Sequence, residues 1–341
     1  MGTAATPLRL PEVKPQERRI LACMDRSPFS DACLPHAISL AKVFGSAVTL
    51  VHVMQPTHES TGPGTTDALC WEISRQEVRA YLERLEKEAT LALGRPVDVR
   101  LEQGHPAERI VALAREIGAD LIVLGSHGEG GVTPWNLGST VQQVLAVARG
   151  SVFIVHSSPV AEAVVVPKRI LVPLDGSLRT ESVLPQVARM ASACGAELLL
   201  VHVVQELPPT EVLLSSDALE LAHDLAVQLE ASAQRYLERL RNRLARDVAE
   251  VRTLVLRHPN ERQCLLELSQ RERVDLIVLS AHGSACDPAR PFGSVAAHLL
   301  THSTVPVLVL QDLPEKELRR VPDADEGPAP PLRSSHPPEE A

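Results

Sequence analysis

The chain has 341 residues, which exceeds two typical domains of about 150 residues by roughly 40, so two domains are expected. Hydrophobic residues make up 44% of the chain and charged residues 23%, values that exclude a disordered or collagen-like protein. The net charge is −9 and aromatic residues make up 2%, which leaves neither a basic stripe for a phosphate backbone nor rings for stacking bases. We therefore expect no nucleic-acid partner and no membrane partner.

Membrane and secretion signals do not stand out in the sequence. No apolar run approaches the roughly 18 residues of a membrane helix, and no charged-then-apolar leader begins the chain. Six cysteines are widely spaced and form no C-x-x-C pair: Cys23, Cys33, Cys70, Cys194, Cys264 and Cys286. We expect a cytoplasmic protein with buried, reduced thiols and no redox cofactor.

Apolar segments alternate with amphipathic segments through the first half of the chain. They predict strands over residues 19–24, 47–53, 97–102, 120–124 and 152–155, and helices over about 70–93, 106–117 and 137–149. Another helix is predicted from about Leu34, with Ser30 or Asp31 capping its start and Gly45 closing its end. Continuous apolar strands separated by helices are typical of a buried parallel sheet, so the pattern predicts an α/β unit of five strands.

The second half of the chain repeats the first. Asp25 recurs as Asp175, and the segment at 50–53 recurs at 200–203 with the same letters, LVHV. The segment at 120–124, DLIVL, recurs at 275–279. Two copies at this spacing indicate a tandem pair of domains and exclude a solenoid.

Composition and the repeat together predict the domain boundaries. We expect an N-terminal extension at 1–17, a first domain at 18–157, a linker at 158–168, a second domain at 169–311 and a tail at 312–341. The tail is acidic and rich in proline, so it offers too little apolar surface to fold and is expected to be disordered.

A glycine-rich stretch follows the fourth predicted strand, at the edge of the sheet where α/β proteins bind ligands. Its pattern is G-x2-G-x9-G-S, and it ends where a helix begins: Gly125, Gly128, Gly138, Ser139 and Thr140. Glycines let backbone N–H groups approach a phosphate, and a helix start adds a positive dipole end and hydroxyl donors. Asp25 ends the first strand beside the same edge. The alternative is that the glycines only turn a loop and Asp25 only caps the next turn.

These residues together resemble the universal stress protein family in its tandem two-domain form, from about Arg18 to Gln311. The resemblance implies that each domain is a five-stranded parallel sheet with helices on both faces, a Rossmann-like fold similar to adenine nucleotide alpha hydrolases. It also implies ATP binding, with phosphate and ribose at the five loop residues and adenine flanked by Asp25 and Val53. Pairing of the halves through their last strands, near 152–155 and 307–310, and a homodimer of the whole chain are further expectations.

The second copy matches the motif less well. Its corresponding residues are Asp175, Val203, Ser280, Gly283, Gly293, Ser294 and Val295. Ser280 replaces the first glycine, and Arg257-His258-Pro259 replaces Gly104-His105-Pro106. We therefore expect weaker or absent nucleotide binding in the second half.

The first copy departs from the pattern in one respect. The nine residues between Gly128 and Gly138 contain no Lys or Arg, so phosphate charge would be met by backbone N–H groups, the helix end or a metal ion such as Mg²⁺.

The histidines do not assemble into a catalytic or metal site in the sequence. His52, His127, His202 and His282 recur in pairs and are interpreted as structural hydrogen-bonding residues. His298 and His302 lie one helical turn apart, and a surface pair is favoured over a metal site because no third ligand is evident. We predict no catalytic residues and at most slow ATP hydrolysis.

Three functional hypotheses remain open. The first is a stress-response regulatory or signalling module that binds ATP or another adenine nucleotide, acting with an unidentified protein partner. The second is an interaction scaffold of the same family without nucleotide binding. The third is an ATP-dependent enzyme of related fold, which is disfavoured because Asp25-Arg26-Ser27 and Asp175-Gly176-Ser177 do not match the S-G-G-x-D-S phosphate loop of such enzymes.

Overall fold

The computed structural model describes residues 18–55, 65–128, 137–156, 166–205, 216–287 and 289–312. The predicted N-terminal extension, most of the predicted linker and the predicted tail beyond Asp312 lie outside these residues. Helices in the described ranges lack the combination of length and apolar character that a membrane span requires.

Ten strands and ten helices are described, five of each in either half. The first half contains β1 (Arg19–Cys23), α1 (Pro28–Asp31), α2 (Cys33–Phe44), β2 (Ala47–Met54), α3 (Thr65–Leu93), β3 (Asp98–Gln103), α4 (Pro106–Glu116), β4 (Leu121–Gly125), α5 (Ser139–Val147) and β5 (Ser151–Val155). The second half contains β6 (Arg169–Pro173), α6 (Leu178–Glu181), α7 (Leu184–Cys194), β7 (Glu197–Gln205), α8 (Ser216–Leu244), β8 (Val251–His258), α9 (Glu261–Arg271), β9 (Leu276–Ser280), α10 (Ser294–His302) and β10 (Val307–Leu310).

All ten strands belong to one sheet, in the order β3-β2-β1-β4-β5-β10-β9-β6-β7-β8. Within each half the strands are parallel, as predicted. The halves meet through β5 and β10, which pair antiparallel with Phe153 opposite Leu308. This confirms the α/β fold class and the predicted contact between the last strands.

Both faces of the sheet are covered by helices, because successive strand residues point to opposite sides and both sides are apolar. On one face Ala22 packs with Leu40 of α2 and Leu82 of α3 in one apolar cluster. On the other face Leu21 belongs to a second cluster together with Ile110 of α4. Each cluster continues through both halves, so the two domains share their apolar layers.

The start of the first long helix differs from the prediction. A short helix, α1, precedes it because Pro28 occupies its first position and the Ser27 hydroxyl accepts a hydrogen bond from the Ser30 N–H at 3.1 Å. Ser30 is therefore not a cap for α2. Its hydroxyl instead accepts from the Asp25 N–H at 3.1 Å. Gly45 does end α2 in the left-handed conformation, with φ 69°.

The cysteines are all free, but the expectation that they are buried holds for only some of them. Cys33 and Cys264 are buried, whereas Cys70 on α3 is exposed. Burial, reinforced by the charge of Asp25, raises the pKa of the Cys23 thiol far above its ordinary value. Cys23 is therefore a poor nucleophile at neutral pH.

Candidate functional site

A cavity of about 940 Å³ opens at the carboxyl ends of the first-half strands. The strand order reverses there, since β1 lies between β2 and β4, and such a switch point leaves a crevice above the sheet. The seven residues predicted for the first site all line this cavity: Asp25, Val53, Gly125, Gly128, Gly138, Ser139 and Thr140. The volume falls in the range of small-molecule and cofactor sites, which is about 300–1,000 Å³.

Asp25 performs a turn-capping role and also faces the cavity. Its Oδ1 accepts hydrogen bonds from the Ser27 N–H at 3.0 Å and from the Ser27 hydroxyl at 2.5 Å. Its other oxygen, Oδ2, lies against Gly128, where an added Cβ would be only 2.6 Å away. Gly128 is thus required by the carboxylate of Asp25, a role that the sequence analysis does not predict.

The other two motif glycines serve different purposes. A Cβ on Gly125 would lie 2.9 Å from the carbonyl of Phe29, so this glycine lets α1 pack against the end of β4. A Cβ on Gly138 would meet its nearest neighbour, His127, at an ordinary 3.5 Å, and the φ of Gly138 is −58°. The fold therefore tolerates a side chain at 138, and that side chain would stand beside the start of α5.

The cavity wall also contains residues that are not among the seven predicted from the sequence. Trp71 lies on α3 and lines the cavity together with Ser74 and Val78 of the same helix. Their spacing of three and four residues places them on one helix face, which is the signal that could have found them. Arg26 also lines the cavity. Its signal is its position directly after Asp25, where the second copy has Gly176.

The recurring histidines are hydrogen-bonded. The Nδ1 atoms of His52 and His202 lie 2.8 Å from the carbonyl oxygens of Met24 and Leu174, so each tethers the loop after the first strand of its domain. His127 Nδ1 lies 3.0 Å from the Ser126 hydroxyl. These contacts agree with the structural interpretation.

His298 and His302 form a stacked pair on α10, with ring centroids 4.3 Å apart. Within the ranges that the structure covers, no cluster of three or more His, Cys, Asp or Glu residues is arranged to hold a metal ion.

The second-half cavity is much smaller, at about 180 Å³. It is lined by six of the seven predicted counterparts, Asp175, Ser280, Gly283, Gly293, Ser294 and Val295, but not by Val203. The packing of aspartate on glycine is repeated there, since a Cβ on Gly283 would lie 2.5 Å from Asp175 Oδ2. The two sites therefore share a frame and differ in size.

An acidic side chain lines this smaller cavity. Helix α9 begins with Glu261, whereas α4 begins with Pro106, and Glu261 contributes to the cavity wall. Burial, and then the charge of Asp175, raise the pKa of Glu261. Burial also acts to raise the pKa of Asp175, but hydrogen bonds from Ser177, Ser284 and Thr180 outweigh it and bring that pKa down to about 2.

The predicted alignment of the third-strand ends is wrong by one residue. Arg257 pairs with Val204 in the same register in which Gln103 pairs with Met54. The counterpart of Gly104 is therefore His258, and one extra residue is inserted before α9. This insertion, which the shared His-Pro dipeptide conceals in the sequence, is what replaces a proline by Glu261 at the first position of the helix.

Ser280 does not disturb the second site in the way the sequence suggests. Its hydroxyl is buried and donates to the His282 carbonyl at 2.5 Å. The equivalent Gly125 is not in the left-handed region, so no special conformation is lost. The difference between the sites lies in Glu261 and in the volume.

Asp312 is held by the second domain and is not part of a disordered tail. Its carboxylate accepts hydrogen bonds from Arg179 Nη1 and from the His282 N–H, both at 3.0 Å, and lies 3.0 Å from His282 Nδ1. Its side chain is fully buried. These contacts hold the chain after β10 against the loop after β9, which contains His282.

Comparisons with known proteins identify the family and the fold. A model described as the universal stress protein family matches residues 17–156 and 167–311. A universal stress protein of Mycolicibacterium smegmatis is 26% identical over 303 residues, covering 86% of this chain and 97% of that protein. One of Thermus aquaticus is 35% identical over 144 residues, covering 41% of this chain and 98% of that protein. A solved universal stress protein from Archaeoglobus fulgidus shares the fold, with a TM-score of 0.60, 18% identity and coverage of 86% of this chain and 96% of that one.

Proposed function

We propose that this chain, which belongs to the universal stress protein family and carries its domain twice, binds an adenine nucleotide, foremost ATP, in its first domain. One observation carries the proposal: the seven motif residues, drawn from β1, β2, β4 and α5, line a single cavity of about 940 Å³. Occupancy of this cavity would regulate the protein's interactions in the stress response.

Phosphate binding would centre on the start of α5. Ser139 and Thr140 occupy the first positions of this helix, where N–H groups have no partner within the helix and the dipole favours an anion. The N-cap residue is Gly138, so no side chain occupies the space in front of these groups. Any Mg²⁺ would enter with the phosphates, and we propose no protein ligand set for it.

The adenine would occupy the end of the cavity near Asp25 and Val53. Asp25 Oδ2 receives none of the hydrogen bonds from Ser27, which all go to Oδ1, so it can accept from an exocyclic amine or a ribose hydroxyl. Trp71 adds an aromatic wall from α3. The cavity therefore contains an aromatic side chain even though aromatic residues are rare in this chain.

The first domain is preferred over the second for two reasons. Its cavity is about 940 Å³ against about 180 Å³. The smaller cavity also contains the two carboxyl groups of Asp175 and Glu261, which repel a phosphate. The second domain fits the alternative role of an interaction scaffold better than a nucleotide site.

A pair of matched variants tests the proposal. Gly138→Glu places a carboxylate at the start of α5, and Gly293→Glu makes the same change at the start of α10 in the second domain. We expect saturable ATP binding by the wild type in calorimetric titration and a 1:1 complex in native mass spectrometry. Gly138→Glu should abolish both, and Gly293→Glu should preserve both.

Two outcomes would contradict the proposal. If the wild-type protein shows no saturable binding at millimolar ATP, the proposed nucleotide site does not exist. Loss of binding in Gly293→Glu with retention in Gly138→Glu would move the site to the second domain.

A further inference from the structure

The first-domain cavity contains one cationic residue that the glycine-rich motif does not include. The residues between Gly128 and Gly138 contain no Lys or Arg. Among the described residues that line the cavity, Arg26 is the only Lys or Arg. An anionic ligand in this cavity therefore finds one full positive charge, from the loop after β1.

The backbone of Arg26 adopts a conformation that favours glycine. Its φ is 70°, and Gly176 occupies the same place in the second domain with φ 86°. A non-glycine residue in the left-handed region is strained, because its Cβ approaches the following carbonyl oxygen. Residues held in strained backbone conformations cluster at functional sites.

Arg26 is held at the cavity by a weak and replaceable partner. Its Nη1 lies 3.4 Å from Oε2 of Glu77 on α3, and the two side chains are 37% and 57% exposed. Exposed ion pairs of this length are screened by water and contribute little. A phosphate, which accepts two parallel hydrogen bonds from a guanidinium, would compete successfully with Glu77.

We propose that Arg26 is a phosphate-binding side chain of the first-domain cavity, exchanging Glu77 for the phosphates of the nucleotide. The loop that carries Arg26 adjoins the start of α5, because Asp25 lies against Gly128 and Gly128 lies beside Gly138. The inference rests on the proposed function and deepens it, since it assigns the cation that the loop lacks. It also accounts for the difference between the domains. Arg26 and Pro106 line the first cavity. In the second domain the corresponding residues are Gly176, which has no side chain, and Glu261, which lines the smaller cavity.

The experiment compares ATP with adenosine, which has no phosphate. Arg26→Asn removes the charge, and Asn tolerates the left-handed conformation, so the fold is preserved. The matched control is Arg75→Gln, because Arg75 is a partly exposed arginine of α3 that pairs with Glu72 at 3.8 Å and does not line the cavity. Calorimetric titrations are run at two salt concentrations, and thermal melting checks that each variant is folded.

We expect Arg26→Asn to weaken ATP binding about tenfold and to flatten its salt dependence, because a charge-assisted contact is lost. Adenosine binding should be unchanged, and Arg75→Gln should behave as the wild type. Glu77→Gln should strengthen ATP binding about twofold, since it removes the competing carboxylate.

Wild-type ATP affinity in Arg26→Asn, or an equal loss for ATP and adenosine, would overturn the assignment of Arg26 and leave the proposed function standing. A wild-type protein that binds neither ligand would overturn the proposed function first, and the assignment with it. The two failures are thus distinguished by the wild-type titration.

Discussion

The packing of Asp25 on Gly128 leads to a quantitative prediction. Replacing Gly128 by alanine would place a Cβ 2.6 Å from Asp25 Oδ2, almost 1 Å closer than the roughly 3.5 Å at which nonbonded atoms attract. The carboxylate must therefore turn away, but its other oxygen is held by the N–H and the hydroxyl of Ser27. Gly138→Ala is the matched control, because its Cβ would meet its nearest neighbour at 3.5 Å.

The magnitude follows from what the carboxylate gives up. Turning it weakens two hydrogen bonds to a charged group, and overpacking alone costs about 1–3 kcal/mol. We expect Gly128→Ala to lower the free energy of unfolding by about 2 kcal/mol and Gly138→Ala to change it by less than about 1 kcal/mol.

Urea unfolding followed by circular dichroism measures both values, and a double-mutant cycle with Asp25→Ala isolates their cause. In the Asp25→Ala background the carboxylate is absent, so Gly128→Ala should cost about 0.5 kcal/mol or less. A cost of Gly128→Ala that is the same with and without Asp25 would refute the reasoning. So would a cost no larger than that of Gly138→Ala.

Two further predictions concern the interdomain strand pair and the buried histidines. Leu308 is 1% exposed and lies on β10 between β5 and β9, so Leu308→Ala should lower the free energy of unfolding, measured with urea, by about 2–4 kcal/mol. An equal loss in Leu310→Ala, at the end of the same strand, would contradict this. Burial lowers the pKa of His156 to about 4 from 6.5, so the unfolded chain binds more protons between these values and stability falls as the pH drops from 6.5 to 4. Burial also lowers the pKa of His36 to about 4, so His36 contributes a similar loss of stability at low pH. His156→Gln should therefore remove about half of the loss in unfolding free energy between pH 7 and pH 4.5. A urea midpoint that shifts between these pH values as much as in the wild type would count against this.

Much of the candidate site could be predicted from sequence, because its members follow strand ends. Asp25, Val53 and Gly125 lie at the carboxyl ends of three neighbouring parallel strands, and this topology brings them to one edge. The spacing of Trp71, Ser74 and Val78 indicates a shared helix face, but the side of the sheet toward which that face turns depends on packing. The position of Arg26 on the cavity wall depends on its left-handed backbone conformation, which cannot be predicted from an arginine in the sequence.

The two cavities differ in size and lining, but not at the residue that the sequence singles out. Ser280 stands where the motif has its first glycine, yet its hydroxyl donates a hydrogen bond to the His282 carbonyl within the loop. The decisive change is the extra residue before α9, which places Glu261 at the cavity. Both copies contain a His-Pro dipeptide at this point, so the one-residue shift between them can be recognised only from the register of the strands.

The tandem repeat, the parallel strands and the motif positions could all be predicted from the sequence, because buried parallel strands and amphipathic helices have distinct periods that are local in the chain. The family resemblance already implies that the halves pair through their last strands, and the tertiary structure adds the antiparallel direction and the register, with Phe153 opposite Leu308. It also decided that Asp312 is buried against Arg179 and His282. These outcomes depend on contacts between residues at least 30 positions apart in the chain. No local sequence pattern shows which distant residue will pair with a strand edge or neutralise a buried charge.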